Sequence, residues 1–319
     1  MMKRKNVLLC IFVSCTLCFL KLLSNKCIPR ENFPNSNKQK CPTCPVCKQC
    51  ANCPDCTQSS SKTIIVPETN LEVKKSENEE HYDTTYWNYQ KSANQFGGVY
   101  KGDILRYLFT KKLASVLEFG SAGGYIVSKL PAELKVGVEV SYFARTHAAE
   151  ANPEAHYYER LEHVPIPGNG FEVIYTTSVI EHVDCPLCML RQMRSMLQPR
   201  GRIIVGIRND GLDPGQQGWT TNDRNNHIYT WNELLLGNLL KSAGLHVCGV
   251  QGGYTAWHGS NYMQSYLNDK KKWCHQALKT GKQQNVYYIW SVSTNNAEEC
   301  KDVRRNLASV SSCEYIVNV

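Results

Sequence analysis

A glycine-rich turn at residues 118–124 (EFGSAGG) follows an apolar run in the middle of the chain. Small residues in such a turn let the backbone approach a ligand closely, and the N-terminus of a following helix favours polar or anionic groups. Glu139 follows the next apolar run about 20 residues later, where an acid can accept hydrogen bonds from ribose hydroxyls. The spacing therefore predicts a site for a ligand that contains adenosine.

Two classes of ligand fit this pattern, dinucleotides and S-adenosyl compounds. The dinucleotide fingerprint G-x-G-x-x-G requires glycine at positions 120, 122 and 125, but this chain has Gly120, Ala122 and Tyr125. Glu118 lies two residues before the first glycine, where a carboxylate can bind the ammonium group of a methionine moiety. A dinucleotide lacks that group, so the pattern favours S-adenosylmethionine over NAD. A glycine-rich turn without any ligand is the remaining alternative.

Two histidines are candidates for acid–base catalysis. A hydroxyl acceptor needs a base near its proton, and His182 follows the apolar run 171–176 while His227 precedes a predicted helix. Each histidine has a structural alternative, either packing against a sheet or capping a loop. Cys185 and Cys188 follow His182, and they form either a disulfide or redox switch beside the site or an unlinked pair at a helix start. We assign no metal ligands in this region.

Strands and helices are predicted to alternate through residues 81–294. Apolar runs predict strands at 113–119, 135–140, 155–158, 171–176, 202–207, 245–250 and 286–294. Helical spacing predicts helices at 104–112, 124–130, 143–151, 186–197 and 231–243. The alternation indicates an α/β domain with a doubly wound, mainly parallel sheet.

Several motifs in the right order make this domain resemble the class I S-adenosylmethionine-dependent methyltransferases of the small-molecule type. VLEFGSAGG at 116–124 resembles the family motif VLDxGCGxG, and VGVEVS at 136–141 resembles the acidic motif of its second strand. The segment 171–207 resembles the family's run from FDvv through EHv to LkPGG, and 226–245 resembles the stretch where a loop histidine precedes a helix. The resemblance implies a seven-stranded sheet that ends in a strand hairpin.

The resemblance also implies roles for the matching residues and a reaction. The implied cofactor-binding residues are Glu118 for the amino group, Gly120, Ser121, Ala122 and Gly124 for the methionine end, Glu139 and Val140 for the ribose and adenine, Arg160 for the adenine edge, and Ser178 beside the sulfonium. Methyl transfer is an in-line displacement at sulfonium, so the protein mainly positions the acceptor. Ala122 and Arg200 each replace a glycine of the family pattern.

The first 80 residues predict a membrane anchor and a stalk. Residues 1–6 are basic and predict a cytosolic tail, and residues 7–23 are apolar and long enough to cross a thin bilayer. A cleaved signal peptide is the main alternative to this anchor. In the segment 24–80, cysteine recurs at every third position from Cys41 to Cys56. The repeat suits disulfides between two chains, but local or unpaired cysteines and a metal site remain open.

Sixteen cysteines are many for a reduced compartment. We therefore expect a type II membrane protein with residues 81–294 in the ER or Golgi lumen, a C-terminal tail at 295–319, and a disulfide-linked homodimer through the stalk. The expected acceptor is a glycan or another small molecule of the secretory pathway, methylated on oxygen. The alternative is an inactive domain of this fold that serves as an interaction module. The net charge of +8 is spread along the chain and does not indicate nucleic acid.

Overall fold

The computed structural model describes residues 81–316 except 83, 110, 213–217, 222, 224, 258–260, 302 and 315. The predicted cytosolic tail, membrane anchor and stalk, residues 1–80, lie outside the described residues. Among the helices that the structure describes, none combines the length and apolar character needed to cross a membrane.

Seven strands form one mixed sheet: β1 Leu113–Phe119, β2 Ala132–Val138, β3 His156–Tyr158, β4 Phe171–Thr177, β5 Leu197–Arg208, β6 His246–Tyr254 and β7 Tyr287–Thr294. Their order across the sheet is β3-β2-β1-β4-β5-β7-β6. The pairs among β1 to β5 are parallel, whereas β7 is antiparallel to both β5 and β6. The prediction of a seven-stranded, mainly parallel sheet is confirmed. The last two strands pair antiparallel, but they do not form the expected hairpin, because the helices Tyr262–Asn268 and Lys270–Gln284 lie between them.

The helices pack on both faces of this sheet: α1 Thr84–Leu108, α2 Tyr142–Ala151, α3 Pro186–Ser195, α4 Glu233–Ser242, α5 Tyr262–Asn268, α6 Lys270–Gln284 and α7 Val303–Val310. Successive strand residues point to opposite faces, so Val116 belongs to one hydrophobic core and Leu117 to the other. The parallel strands consequently all end at one edge, where ligands of such folds bind.

Polar side chains set where two of the helices begin. Ser141 precedes α2 and accepts a hydrogen bond from the Ala144 N–H, and Asn232 precedes α4 and accepts one from the Leu235 N–H. Such caps satisfy backbone donors that the first helical turn leaves free. The cap at Asn232 explains why α4 begins at Glu233, two residues after the predicted start.

Helix α1 is much longer toward its N-terminus than the predicted helix 104–112. Three glycines, Gly97, Gly98 and Gly102, lower the helix propensity of this segment. For this reason the sequence did not predict the helical turns before residue 104. The structure requires the glycine at position 98, because a Cβ there would lie 2.3 Å from the Cβ of Tyr125. This close approach packs α1 directly onto the turn that follows β1.

The helix predicted at 124–130 is wrong. The structure has turns there and a short 3-10 helix, Val127–Lys129. Gly124 has a φ of +71°, outside the helical region, and Leu130 is extended because Pro131 follows it. The Val127 N–H donates to the carboxylate of Glu118, so a side chain satisfies this backbone group.

The residues after β7, which we predicted to be a tail, include a helix that packs on the domain. Val303, Leu307 and Val310 of α7 are buried. Disulfides join Cys248 to Cys300 and Cys274 to Cys313, and they tie this segment to β6 and α6. The spacing of these cysteines gave no indication of their pairing.

Two glycine substitutions in α1 should differ in their effect on stability. Gly98→Ala places its Cβ against Tyr125, and such overpacking costs roughly 1–3 kcal/mol. Gly102→Ala is the matched control, because a Cβ there meets nothing within 4 Å and removes a helix penalty of about 1 kcal/mol. Thermal unfolding of the full-length chain should show a lower midpoint for Gly98→Ala and an equal or higher one for Gly102→Ala. Equal midpoints for both variants would contradict the packing of α1 described above.

Candidate active site

The turn after β1 brings its backbone close to the end of β4. Gly120, Ala122 and Gly124 all have positive φ, of 78°, 45° and 71°, and the Gly124 N–H donates to the Ser121 carbonyl at 2.8 Å. A Cβ on Gly120 would lie 2.2 Å from Cγ2 of Val179, so this position admits only glycine. Ala122 adopts a conformation that a residue with a side chain rarely adopts, which indicates a functional constraint on the turn.

Glu118 is a buried acid at the end of β1. Its side chain is 2% exposed, and Oε2 accepts a hydrogen bond from the Val127 N–H at 3.1 Å. Burial raises the pKa of Glu118 to about 8, although the Val127 hydrogen bond and the charge of Lys101 partly oppose this. A cationic ligand beside the carboxylate would offset the penalty of its burial.

Ser121 contributes a buried hydroxyl on the same turn. The residue is 3% exposed, and its Oγ has no hydrogen-bond partner among the described residues. Gly137 of β2 leaves space for this hydroxyl, because a side chain at that position would place its Cβ only 2.7 Å from Ser121 Oγ. Buried hydroxyls are rarely left unpaired, so a polar ligand at this turn would supply the missing partner.

Glu139 fixes the turn after β1 to the start of α2. Its Oε2 accepts from the Ala122 N–H and its Oε1 from the Ser141 N–H, both at 2.8 Å. Burial raises the pKa of Glu139 above its ordinary value, while the two N–H groups oppose that effect. Val140 follows directly, and its carbonyl oxygen accepts from Arg145 at 3.3 Å. The predicted ribose-binding acid therefore also holds the predicted methionine-binding turn in place.

Arg160 and Ser178 follow β3 and β4, respectively. The Arg160 guanidinium lies 3.4 Å from Glu159 and is half exposed. Ser178 has a φ of +56°, and its Oγ lies 3.1 Å from both Lys101 Nζ and the Tyr288 hydroxyl. The hydroxyl of Ser178 is therefore already engaged by protein groups.

Lys101 of α1 is a site residue that the sequence analysis missed. Burial lowers its pKa to about 8, and the charges of Glu181 and Glu118 oppose this shift. Its Nζ also lies 5.2 Å from the ring centroid of Tyr288. The charge of Lys101 therefore interacts with Glu118, at the end of β1, and with Glu181, which follows β4. It was missed because the predicted helix began at 104, after this residue.

Glu181, His182 and His227 bring three potential ligand atoms within 4.8 Å of one another. The N–H groups of Ile228 and Tyr229 donate to the Glu181 carbonyl at 2.8 and 3.2 Å, which ties the loop carrying His227 to the turn after β4. The two imidazole rings contact edge to face, with centroids 4.6 Å apart. The structure thereby joins the two predicted catalytic histidines and adds Glu181, which the sequence analysis did not select.

The Nδ1 atoms of both histidines have partners. His227 Nδ1 lies 2.5 Å from Asp210 Oδ2, and Arg208 lies 3.2 Å from the other oxygen of Asp210. Burial lowers the pKa of His227, but the hydrogen bond and charge of Asp210 outweigh it and raise the pKa overall. Burial also lowers the pKa of His182 to about 4, and its Nδ1 lies 3.4 Å from the Asn226 carbonyl. The His182 imidazole is therefore neutral near pH 7.

Aromatic residues near the start of α1 border the predicted cofactor and acceptor sides. The rings of Tyr82 and Tyr86 contact edge to face at 4.9 Å, and Tyr82 lies 6.0 Å from the His182 ring. Burial raises the pKa of Tyr86 to about 12, and the charges of Glu139 and Glu181 raise it further. These aromatic side chains therefore lie within electrostatic range of both acids.

Cys185 and Cys188 form a disulfide at the N-terminus of α3. The Cys185 Sγ also accepts a hydrogen bond from the Cys188 N–H at 3.3 Å. Of the two alternatives that the sequence left open, the structure has the linked pair, three residues after His182.

Comparisons with known proteins identify the class of domain. A family profile described as a methyltransferase domain matches residues 86–248, just over half of the chain. The ubiquinone biosynthesis O-methyltransferase of Vibrio campbellii is 27% identical over 113 residues, which cover 33% of this chain and 47% of that protein. The protein of the same name from Haemophilus ducreyi is 29% identical over 118 residues, covering 33% and 48%. The chain spans about half the length of the curated relatives it matches.

A solved structure also resembles the fold. It is a chain from the complex between the Haloferax volcanii Trm112 methyltransferase activator and a methyltransferase. The match has a TM-score of 0.50 at 11% identity and covers 69% of this chain and 98% of the other. At this identity the similarity concerns the fold alone.

The buried acid at position 118 should make stability depend on pH. Because folding raises its pKa from 4.5 to about 8, its contribution is fully present below pH 4.5 and is lost as the pH rises through about 8. Glu118→Gln removes this dependence and keeps an acceptor for the Val127 N–H. Without cofactor, the unfolding midpoints of variant and wild type should agree at about pH 5, and the variant should unfold roughly 3 °C or more higher at pH 9. A constant difference across this range would contradict the assignment.

Proposed function

The chain belongs to the methyltransferase domain family, and we propose that it transfers a methyl group from S-adenosylmethionine to an oxygen atom of a small-molecule acceptor. The observation that carries the proposal is the pair of buried polar groups, Glu118 and Ser121, on the tight turn after β1. S-adenosylmethionine, when bound, supplies an electrophilic methyl group on a cationic sulfur atom. The residues at this turn fit that ligand because it brings a positive charge to a buried acid and polar atoms to a buried hydroxyl.

On this proposal Glu118 binds the amino group and Ser121 binds a polar atom of the methionine end. Gly120, Ala122 and Gly124 keep the backbone of the turn open to the ligand. Each oxygen of Glu139 accepts one backbone hydrogen bond. Since a carboxylate has about four acceptor positions, this acid still has capacity for the ribose hydroxyls.

Val140 and Arg160 are the residues assigned to the adenine end. On this proposal Val140 packs against the adenine and Arg160 lies along its edge. Both residues follow strands on the β2 and β3 side of the sheet, and neither is fully buried. These two roles rest on position in the sheet.

The acceptor side carries groups that bind oxygen atoms. Lys101 and the two histidines lie near Ser178 and Glu181, beyond the turn that would hold the methionine end. An ammonium group and imidazoles suit a hydroxyl or phenol better than a carbon acceptor. The curated relatives carry the name O-methyltransferase, which also favours oxygen. The role of His182 or His227 as the base stays a prediction.

The membrane anchor at 7–23, the stalk at 24–80 and the lumenal placement remain part of this proposal. Their support is the apolar run, the repeat of cysteines from Cys41 to Cys56, and three disulfides in the described domain, which suit an oxidising compartment. A disulfide-linked homodimer and a glycan or other secretory acceptor follow from the same placement.

Calorimetric titration of the full-length chain with S-adenosylhomocysteine tests the cofactor site. We expect one site per chain and an affinity at least about tenfold weaker for Glu139→Ala, because two backbone N–H groups and the ribose lose their acceptor. Glu150→Ala, which removes an exposed acid from α2, is the matched control and should bind as the wild type does. Absence of binding to a folded chain would support the inactive interaction module instead.

Incorporation of radiolabelled methyl groups from S-adenosylmethionine tests the acceptor. A panel of phenols, vicinal diols, sugars, carboxylic acids and amines should give signal on hydroxyl compounds. Signal on sugars alone would support the glycan acceptor, and signal on phenols alone would refute it. Methylation confined to amines would contradict transfer to oxygen.

A further inference from the structure

We propose that Glu181, His182 and His227 bind a divalent transition-metal cation that holds the acceptor beside the methyl donor. The three ligand atoms lie within 4.8 Å of one another. Bonds of about 2.0–2.2 Å to one tetrahedral ion place its ligands roughly 3.4 Å apart. Small side-chain rotations therefore suffice to bring this set onto a single ion.

The carboxylate of Glu181 gives an independent reason to place a cation here. The residue is 1% exposed, and its Oε2 has no hydrogen-bond partner among the described residues. A buried carboxylate oxygen without a partner is expensive to keep. A cation bound between this oxygen and the two imidazoles would supply that partner.

The partners of the two histidines leave the same nitrogen free on each ring. His227 Nδ1 is engaged by Asp210, and His182 Nδ1 faces the Asn226 carbonyl. The Nε2 atom of each ring therefore remains available to a metal. A carboxylate or carbonyl on the far nitrogen is the usual means by which proteins orient a metal-binding histidine. Asp210, itself held by Arg208, would act as a positioning residue.

The donor set indicates the class of metal. Two imidazoles and one carboxylate suit first-row transition ions such as Mn²⁺, Fe²⁺, Co²⁺ or Zn²⁺, whereas Mg²⁺ and Ca²⁺ prefer oxygen ligands. Three protein ligands leave coordination positions open. The sequence did not predict a metal site here, because Glu181 and His227 are far apart in the chain and match no known spacing of metal ligands.

The open positions suggest how the cation would serve the reaction, an inference that rests on the proposed function. They would take one or two oxygen atoms of the acceptor, which favours vicinal diols and catechol-like phenols over single hydroxyls. Binding to a cation lowers the pKa of a hydroxyl, so its O–H bond breaks and the proton leaves to solvent water. The acceptor oxygen is then an anionic nucleophile held at the ends of β4 and β5.

Titration of the metal-free full-length chain with Mn²⁺, followed by electron paramagnetic resonance, tests the site. Mn²⁺ is chosen because thiolates of the Cys41 to Cys56 repeat bind softer ions more readily. The same titration with Co²⁺ covers ions of higher affinity, and its absorption spectrum distinguishes thiolate from imidazole ligands. We expect one site per chain without thiolate ligands. No saturable binding of either ion would overturn the proposal.

Variants separate this site from other metal-binding positions. Glu181→Gln should weaken Mn²⁺ binding at least about tenfold, His182→Gln with His227→Gln should abolish it, and Asp210→Asn should weaken it by about 10–100-fold. His163→Gln is the matched control, because it removes an exposed histidine from the short 3-10 helix Leu161–His163, outside the proposed site. Unchanged binding in the double histidine variant would overturn the assignment.

S-adenosylhomocysteine titrations of the same variants serve as the measure of folding and separate the two proposals. Retained cofactor binding with lost Mn²⁺ binding would support the metal site. Cofactor binding by a wild-type chain that binds neither ion would refute the metal site and leave the methyltransferase proposal standing. Mn²⁺ binding without cofactor binding would refute the methyltransferase proposal and leave the metal site standing.

Discussion

The site depends on buried and partly buried acids where the parallel strands end. Glu118 ends β1, Glu139 follows β2 and Glu181 follows β4, and burial raises the pKa of each. Protein groups offset this only in part. Backbone N–H groups donate to Glu118 and Glu139, and the charge of Lys101 acts on both Glu118 and Glu181. Such an arrangement favours ligands that bring positive charge.

The same constraint explains why cationic species fit both sides of the site. The ammonium and sulfonium groups of S-adenosylmethionine suit the β1 and β2 side, and a metal ion suits the side of Glu181. Lys101 lies on the helix that packs against both sides. Burial lowers its pKa to about 8, so the ammonium is mainly charged near pH 7, and this one charge acts on both Glu118 and Glu181.

The close contact of α1 with the turn after β1 allows this arrangement. Gly98 permits the backbone of α1 to approach Tyr125, and Tyr82, just before the start of α1, lies beside His182. Glu139 holds the other side of the turn through Ala122. The turn is thus fixed from two directions, which stabilises the positive φ of Ala122.

The sequence by itself determined the class of fold and the predicted cofactor turn. Strand periodicity, the run 118–124 and the acid 19 positions after Gly120 are local signals, since each reflects the backbone geometry of a few consecutive residues. Only the tertiary structure decided the extent of α1, the place of Lys101 and the meeting of Glu181 with His227. The glycines of α1 have low helix propensity, so the sequence did not predict its first turns. The loop that carries His227 is held to Glu181 by backbone hydrogen bonds, which residue spacing does not predict. Contacts between distant segments depend on packing, which local residue patterns do not specify.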